Sequence, residues 1–359
     1  MAWQDIEGHD TIVERFRNAL RRGRLASTFL FVGPAGVGKR KFAEKLAQAL
    51  LCSQAPAEEL APCGACDACV QVLAHTHPDL YIIEKPQDKS TIPLSLFIGD
   101  DNHRMREGLC HDIALKPFMG GRKVAIIDDA DYLGEESANS LLKTLEEPPP
   151  HSVLILIGTS ADAQLPTIRS RSQTIRFGPL TGSTVAEILL ARGLAADETQ
   201  ARHLADFADG SLVRAQELAD SDLWTFRRDL LASLAQPKLP SVRISHDVCA
   251  FVDAAGKEAP ARRIRARQVV GFVVDFHRQL LRIQVGLEPE GDHDLLTAIN
   301  HAGATPTCDA ETSLACIDRS LETLGHIDRN AHLTTLVECW LDDLARIEQS
   351  GQPVASYDR

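Results

Sequence analysis

The chain has 359 residues, 44% of them hydrophobic and 25% charged, with nine cysteines and a formal net charge of −12. That length suggests two or three domains, and that composition excludes a disordered, collagenous or disulfide-stapled chain. No apolar run approaches the ~20 residues of a membrane span, and MAWQDIEGHD lacks the basic-then-apolar layout of a secretory leader, so a cytoplasmic protein with no membrane partner is expected.

The charge is uneven. Residues 1–180 carry 20 Lys+Arg against 23 Asp+Glu, and residues 181–359 carry 18 against 27. An acidic C-terminal half repels a phosphate backbone, so any DNA contact is expected from the N-terminal half or from partner chains.

In chain order, STFLFVG (27–33) is a short apolar run ending in Gly, and KRKFAEKLAQALLC (39–52) follows with apolar residues at helical spacing. Four cysteines then cluster at 52, 63, 66 and 69. LYIIE (80–84) reads as a strand, residues 103–115 as a helix and Gly120-Gly121 as a turn. KVAIIDDAD (123–131) is a buried strand ending in carboxylates, and EESANSLLKTLEEPPP (135–150) is a helix stopped by prolines. SVLILIG (152–158) and QTIRF (173–177) complete the strands. Strands alternating with helices imply a parallel sheet covered on both faces. From 181 onward the periodicity is helical only, notably over 267–286 and 333–349, and 351–359 reads as a frayed tail.

The segment GPAGVGKR meets the phosphate-loop pattern G-x-x-x-x-G-K-[ST] at Gly33, Gly38 and Lys39, with Gly36 between them, and fails it at Arg40. Backbone N–H groups opening on a helix N-terminus make a phosphate cradle. Asp128, at the end of an apolar strand, suits a metal-side carboxylate. Two departures bear on turnover. Arg40 removes the hydroxyl that would hold Mg²⁺ and brings a cation to it; a unit pair at ~4 Å costs about 4 kcal/mol at an effective dielectric of ~20. Asp129 stands where a Glu often positions the attacking water, and a misplacement of ~1 Å costs ~10²-fold in rate. Hydrolysis of ATP–Mg²⁺ in cis is therefore not expected, while Lys39 and the glycines leave nucleotide binding open.

Cys52, Cys63, Cys66 and Cys69 form C-x10-C-x2-C-x2-C, a spacing that suits a closed, structural, tetrahedral Zn²⁺ site. His75 and His77 lie just downstream and are expected at the surface or in caps, since four thiols suffice. The other five cysteines are scattered and expected to be reduced. Arg169, Arg171 and Arg176 flank the last strand, where an arginine can either reach a neighbour's γ-phosphate or be solvated.

Together these pieces resemble the bacterial clamp-loader subunits of DNA polymerase III, members of the AAA+ class. The resemblance rests on the loop after RGRLASTFLF, the four-cysteine insertion after the loop's helix, THPDLYIIE, KVAIIDDADYLGEESANSLLKTLEEPPP and LPTIRSRSQTIRF. It covers residues 1–220 and continues beyond them only as helical character. It implies an α/β fold with three parts. These are an AAA+ P-loop head over 1–180 with a four-cysteine zinc insertion at 52–69, a small helical lid over 181–220, and an all-helical collar over 222–350. It further implies that Ser170-Arg171-Ser172 is the family's Ser-Arg-Cys motif with Ser for Cys, making Arg171 an arginine finger for an adjacent ATPase. The family's second sensor position falls on Val213; Arg214 stands one residue late, ~100° round a helix. The implied partners are gamma/tau and delta subunits and, through the complex, the sliding clamp and primed DNA. Two other readings remain: an active ATPase of the gamma/tau type, and a zinc-dependent nucleic-acid module gripping DNA through RRIRAR (262–267).

Overall fold

The structure, a computed structural model, describes residues 3, 6–86, 89–100, 102–104, 106–119, 121–303 and 309–350. The expected tail at 351–359, the first glycine of the expected turn at 120 and Cys308 lie outside the described residues. The chain divides into two compact units, Met1–Ala219 and Asp220–Arg359.

In the first unit the order is α1 (Asp10–Arg21), β1 (Thr28–Val32), α2 (Lys39–Leu51), α3 (Asp67–Leu73), β2 (Leu80–Ile83), α4 (Ser95–Ile98), α5 (Leu109–Asp112), β3 (Lys123–Ile127), α6 (Glu135–Glu146), β4 (Ser152–Gly158), α7 (Pro166–Arg169), β5 (Gln173–Arg176), α8 (Gly182–Ala191), α9 (Glu198–Phe207) and α10 (Leu212–Glu217). The five strands form one sheet in the order β2-β3-β4-β1-β5. All pairings are parallel, with Leu30 opposite Leu156, Phe31 opposite Ile175, Ile126 opposite Ile155 and Ile82 opposite Ile126. β1, β3 and β4 are buried along their whole length, as strands of a sheet covered on both faces must be.

Because strand side chains alternate, the sheet has two cores. On one face Phe29, Phe31, Val124, Ile126, Val153 and Ile155 meet Phe16 of α1 and Phe42 and Leu46 of α2. On the other, Leu30, Val32, Ala125, Ile127, Leu154 and Leu156 meet Leu141 and Leu145 of α6 and Phe97 of α4. Rings of Phe16, Phe31, Phe42 and Phe177 lie 5.1–6.0 Å apart across the first core.

The helix expected over 103–115 is largely absent: among the described residues only Leu109–Asp112 is helical. Gly108 at φ +90° is the reason. A Cβ there would lie 2.8 Å from the Phe97 carbonyl, so the chain must turn sharply between α4 and α5. In contrast, α1 carries Ile12, Val13, Phe16 and Leu20 on one buried face, an amphipathic pattern for which no element was expected.

The second unit is all-helical among its described residues: α11 (Ser221–Leu234), α12 (Ser241–Asp253), α13 (Ala259–Gln284), α14 (His293–Gly303), α15 (Ala310–Asp328) and α16 (Leu333–Ser350). α13 packs along α15, and α16 packs on α12 and α15. Trp340 is fully buried and donates its indole N–H to Ser320 Oγ at 3.1 Å. The buried Arg227 is matched by Asp292 at 2.7 Å, as a buried charge requires. No described helix is long and apolar enough to cross a membrane.

Candidate functional site

β1 delivers the chain into the 33–38 loop, and Gly38 caps the start of α2. β3 ends beside this loop and supplies Asp128 and Asp129. The resulting cleft, about 530 Å³, is closed on its far side by Arg192 and by Leu212, Val213 and Gln216 of α10. The loop is docked onto α10. Gly36 accepts from the Leu212 N–H at 3.1 Å, and at φ +75° a Cβ on it would lie 2.3 Å from Ser211 Oγ. Only glycine fits there. Gly33 sits at the exit of β1, donating its N–H to Thr159 O at 3.0 Å.

Lys39 is buried and folds back on its own loop, donating to the Gly33 and Pro34 carbonyls at 2.5 and 2.7 Å. Burial lowers its pKa, partly offset by the charges of Asp128 and Asp131. Arg40 reaches across the cleft. Its Nε donates to Glu44 Oε1 at 3.0 Å, and its Nη1 donates to Asp128 Oδ2 at 3.1 Å and to Glu84. Burial works against this charge, but the hydrogen bonds to Glu84 and Glu44 and the charge of Asp128 outweigh it, and the guanidinium pKa is raised.

Asp128 also accepts the Asp129 N–H at 2.9 Å. Asp129 holds a left-handed backbone at φ +55°. It stands at the cleft rim, where desolvation by the walls and then the Asp128 charge push its carboxyl up.

The donor set does not suit a magnesium-bound nucleotide as it stands. The position that should offer a hydroxyl carries a cation, and that cation already holds the Asp128 carboxylate. Val213 lines the cleft, whereas Arg214 turns away to Asp209 at 2.5 Å. Several lining residues were not anticipated, Asp131 and Arg192 among them. Asp131 accepts from the Thr159 N–H at 2.7 Å and from Gln164 Nε2 at 2.5 Å, and so fixes the end of β4; its signal was the third carboxylate of DDAD. Arg192 follows α8 and has no distinguishing motif in the sequence.

The four cysteines come together. Cys52 caps the end of α2, Cys66 caps the start of α3, and Cys69 lies in its first turn. All four sulfurs lie within 4.8 Å of one another, with Cys52–Cys66 and Cys63–Cys69 at 3.9 Å. Backbone N–H groups of Ala55, Cys66 and Cys69 point at sulfurs at 3.3–3.4 Å, the donors that stabilise thiolate ligands. The cluster can hold a metal ion. His75 pairs with Glu44 at 3.4 Å. His77, expected at the surface or in a cap, is buried, its Nδ1 accepting from the Asp79 N–H at 3.1 Å. Neither histidine belongs to the cluster.

Arg171 follows α7. Its Nη2 pairs with Glu146 Oε1 at 2.6 Å, and its Nη1 donates to Thr167 O at 3.0 Å. Arg169 pairs with Asp162 at 3.0 Å. Arg176 lines a separate cleft of about 610 Å³ with Arg15 and Arg169.

A family model described as DNA polymerase III, delta subunit, matches residues 8–181. A DNA polymerase III subunit delta′ of Pseudomonas aeruginosa is 38% identical over 198 residues, 55% of this chain and 57% of that one. A subunit delta′ of Bacillus subtilis is 26% identical over 342 residues, 94% of this chain and 97% of that one. The chain is similar to DNA polymerase III delta′ subunits, to one of them over 94% of its length. The match to the Pseudomonas protein thus spans little more than half of that relative's length. A DNA polymerase III subunit tau of B. subtilis is 30% identical over 64% of this chain and 39% of its own length. The parallel sheet with its strand–loop–helix start and the all-helical second unit match the α/β fold with an all-helical remainder expected from the sequence. Three of the four arginines of the RRIRAR run are paired with acids: Arg262 with Asp253, Arg265 with Asp220 and Arg267 with Asp328. That counts against a DNA grip there.

Proposed function

We propose that this chain works in the cytoplasm as a delta′ subunit of the DNA polymerase III clamp loader, silent as an ATPase in cis and donating Arg171 to a neighbouring gamma/tau-type ATPase. Its partners in this reading are gamma/tau and delta subunits and, through the complex, the sliding clamp and primed DNA. Residues 1–180 act as head, 181–220 as lid and 222–350 as the collar that assembles with other collars.

The observation that carries the silent reading is Arg40. Its guanidinium is shared among Asp128, Glu84 and Glu44, so a protein cation already neutralises the carboxylate that would otherwise face Mg²⁺. Lys39 satisfies its own loop's carbonyls. The loop keeps its form because α10 docks on it. The four thiols of the insertion hold Zn²⁺ in this reading, as a structural staple between the end of α2 and the start of α3.

Arg171 is only partly exposed and is aimed by Glu146, at the end of the SANSLLKTLEE helix. Such a held arginine is pre-organised for a phosphate of an adjacent chain. In a reconstituted loader, Arg171→Ala should leave assembly on gel filtration intact and reduce hydrolysis at the adjacent site by ~10³–10⁵-fold. Full ATPase activity from an assembled Arg171→Ala loader contradicts the role.

A further inference from the structure

The Asp220–Arg359 unit holds a second group of metal-ligating side chains. His277 on α13, Cys316 on α15 and Glu348 on α16 bring a ring nitrogen, a sulfur and a carboxylate oxygen within 4.8 Å of one another. They lie far apart in sequence, and each comes from a different helix.

The surroundings of this group are those of a built site. His277 is 1% exposed, and neither of its ring nitrogens has a hydrogen-bond partner among the described residues. Buried polar groups are almost always satisfied, so two orphaned nitrogens on one ring require a reason. Cys316 is fully buried. Glu348 is half-buried and forms no ion pair among the described residues, although Arg346, two positions earlier, pairs with Asp342 and Asp343. Its partial exposure opens one edge of the group to solvent, which gives an ion a way in.

We propose that His277, Cys316 and Glu348 form a second metal site, which takes Zn²⁺ and ties α13, α15 and α16 together. Imidazole, thiolate and carboxylate are all established zinc ligands, and bonds of ~2.0–2.3 Å in a tetrahedron set donors about 3.5 Å apart. The three side chains need to close by only about 1 Å from their widest separation to reach that. One thiolate and one carboxylate balance a divalent ion, so the buried whole is neutral. Three protein ligands leave the fourth position for water, unlike the closed four-thiol set of the head. The site is independent of the nucleotide cleft and of the proposed loader function.

The test is zinc stoichiometry on the full-length protein, stripped with a chelator, refilled with Zn²⁺ alone and desalted. Cys316→Ser and Glu348→Gln should each bind one equivalent less than wild type, whatever the head contributes. Changing Cys52, Cys63, Cys66 and Cys69 together to Ser should leave that equivalent in place. With Co²⁺ as probe, the same equivalent should show a thiolate charge-transfer band about a quarter as intense as a four-thiolate site, one sulfur against four. Folded variants that bind as much zinc as wild type overturn the proposal. Should both variants fail to fold, a wild-type Co²⁺ titration with no single-thiolate species overturns it instead.

Discussion

Replacing Arg40 by Gln keeps the side chain's helix propensity and much of its length while removing the charge that three carboxylates share. The cost follows from exposure. Arg40 is 36% exposed, and its partners Glu44, Glu84 and Asp128 are 28%, 56% and 17% exposed. The Glu44 pair, one helical turn away, and the open Glu84 pair are each worth about 0.3–0.5 kcal/mol. The less exposed Asp128 pair stands near the top of the surface range, about 1 kcal/mol. The sum is roughly 1.5–2 kcal/mol, which for a unit of this size lowers the melting midpoint by about 3–8 °C. Thermal unfolding in low and high salt checks it, because the gap should narrow as salt screens the wild-type pairs. A second arm uses Arg40→Thr, which leaves the carboxylates unpaired and restores a hydroxyl. Mg²⁺ should raise the midpoint of this variant and leave the wild type unmoved. An Arg40→Gln midpoint within about 1 °C of wild type, or Mg²⁺ stabilisation of the wild type, would refute the reasoning.

Asp129→Asn should stabilise the protein, since Asn tolerates the left-handed backbone there and no longer bears a charge disfavoured by desolvation and by Asp128. The folded carboxyl titrates above the ordinary 3.8, so the wild-type penalty is absent below that pH and builds as pH rises through the raised folded value. The variant's advantage should therefore be near zero at the acid end and complete at neutral pH; a pH-independent advantage contradicts the assignment. Removing metal from the four-thiol insertion should strip amide-exchange protection from 52–73, because metal-binding energy there is folding energy. Unchanged protection after verified removal contradicts a structural zinc.

What could be read from sequence was what is local or strongly periodic. β1, β3 and β4 are buried on both faces, so they stand out as unbroken apolar runs. The phosphate-type loop and the cysteine cluster are compact in sequence, so spacing alone brought Gly36, Lys39, Arg40 and the four thiols to their places. The stretch 103–115 misled because its composition is helical, while Gly108 must pass against the Phe97 backbone, a tertiary constraint that propensity cannot carry. The bond from Arg40 to Asp128 spans 88 residues and that to Glu84 spans 44. Sequence could name the misfit at Arg40 but not the carboxylates that hold it. His277, Cys316 and Glu348 were invisible for the same reason: each sits alone in its own helix, and only the packing of three helices brings them together.

Silence in cis is tested most directly by ATP hydrolysis of the purified full-length protein with Mg²⁺, alone, against a Lys39→Ala control. With Arg40 holding Asp128 and Lys39 bound to its own loop, turnover should not exceed that control. Turnover that Lys39→Ala abolishes would contradict the reading and make this chain a working ATPase of the gamma/tau type.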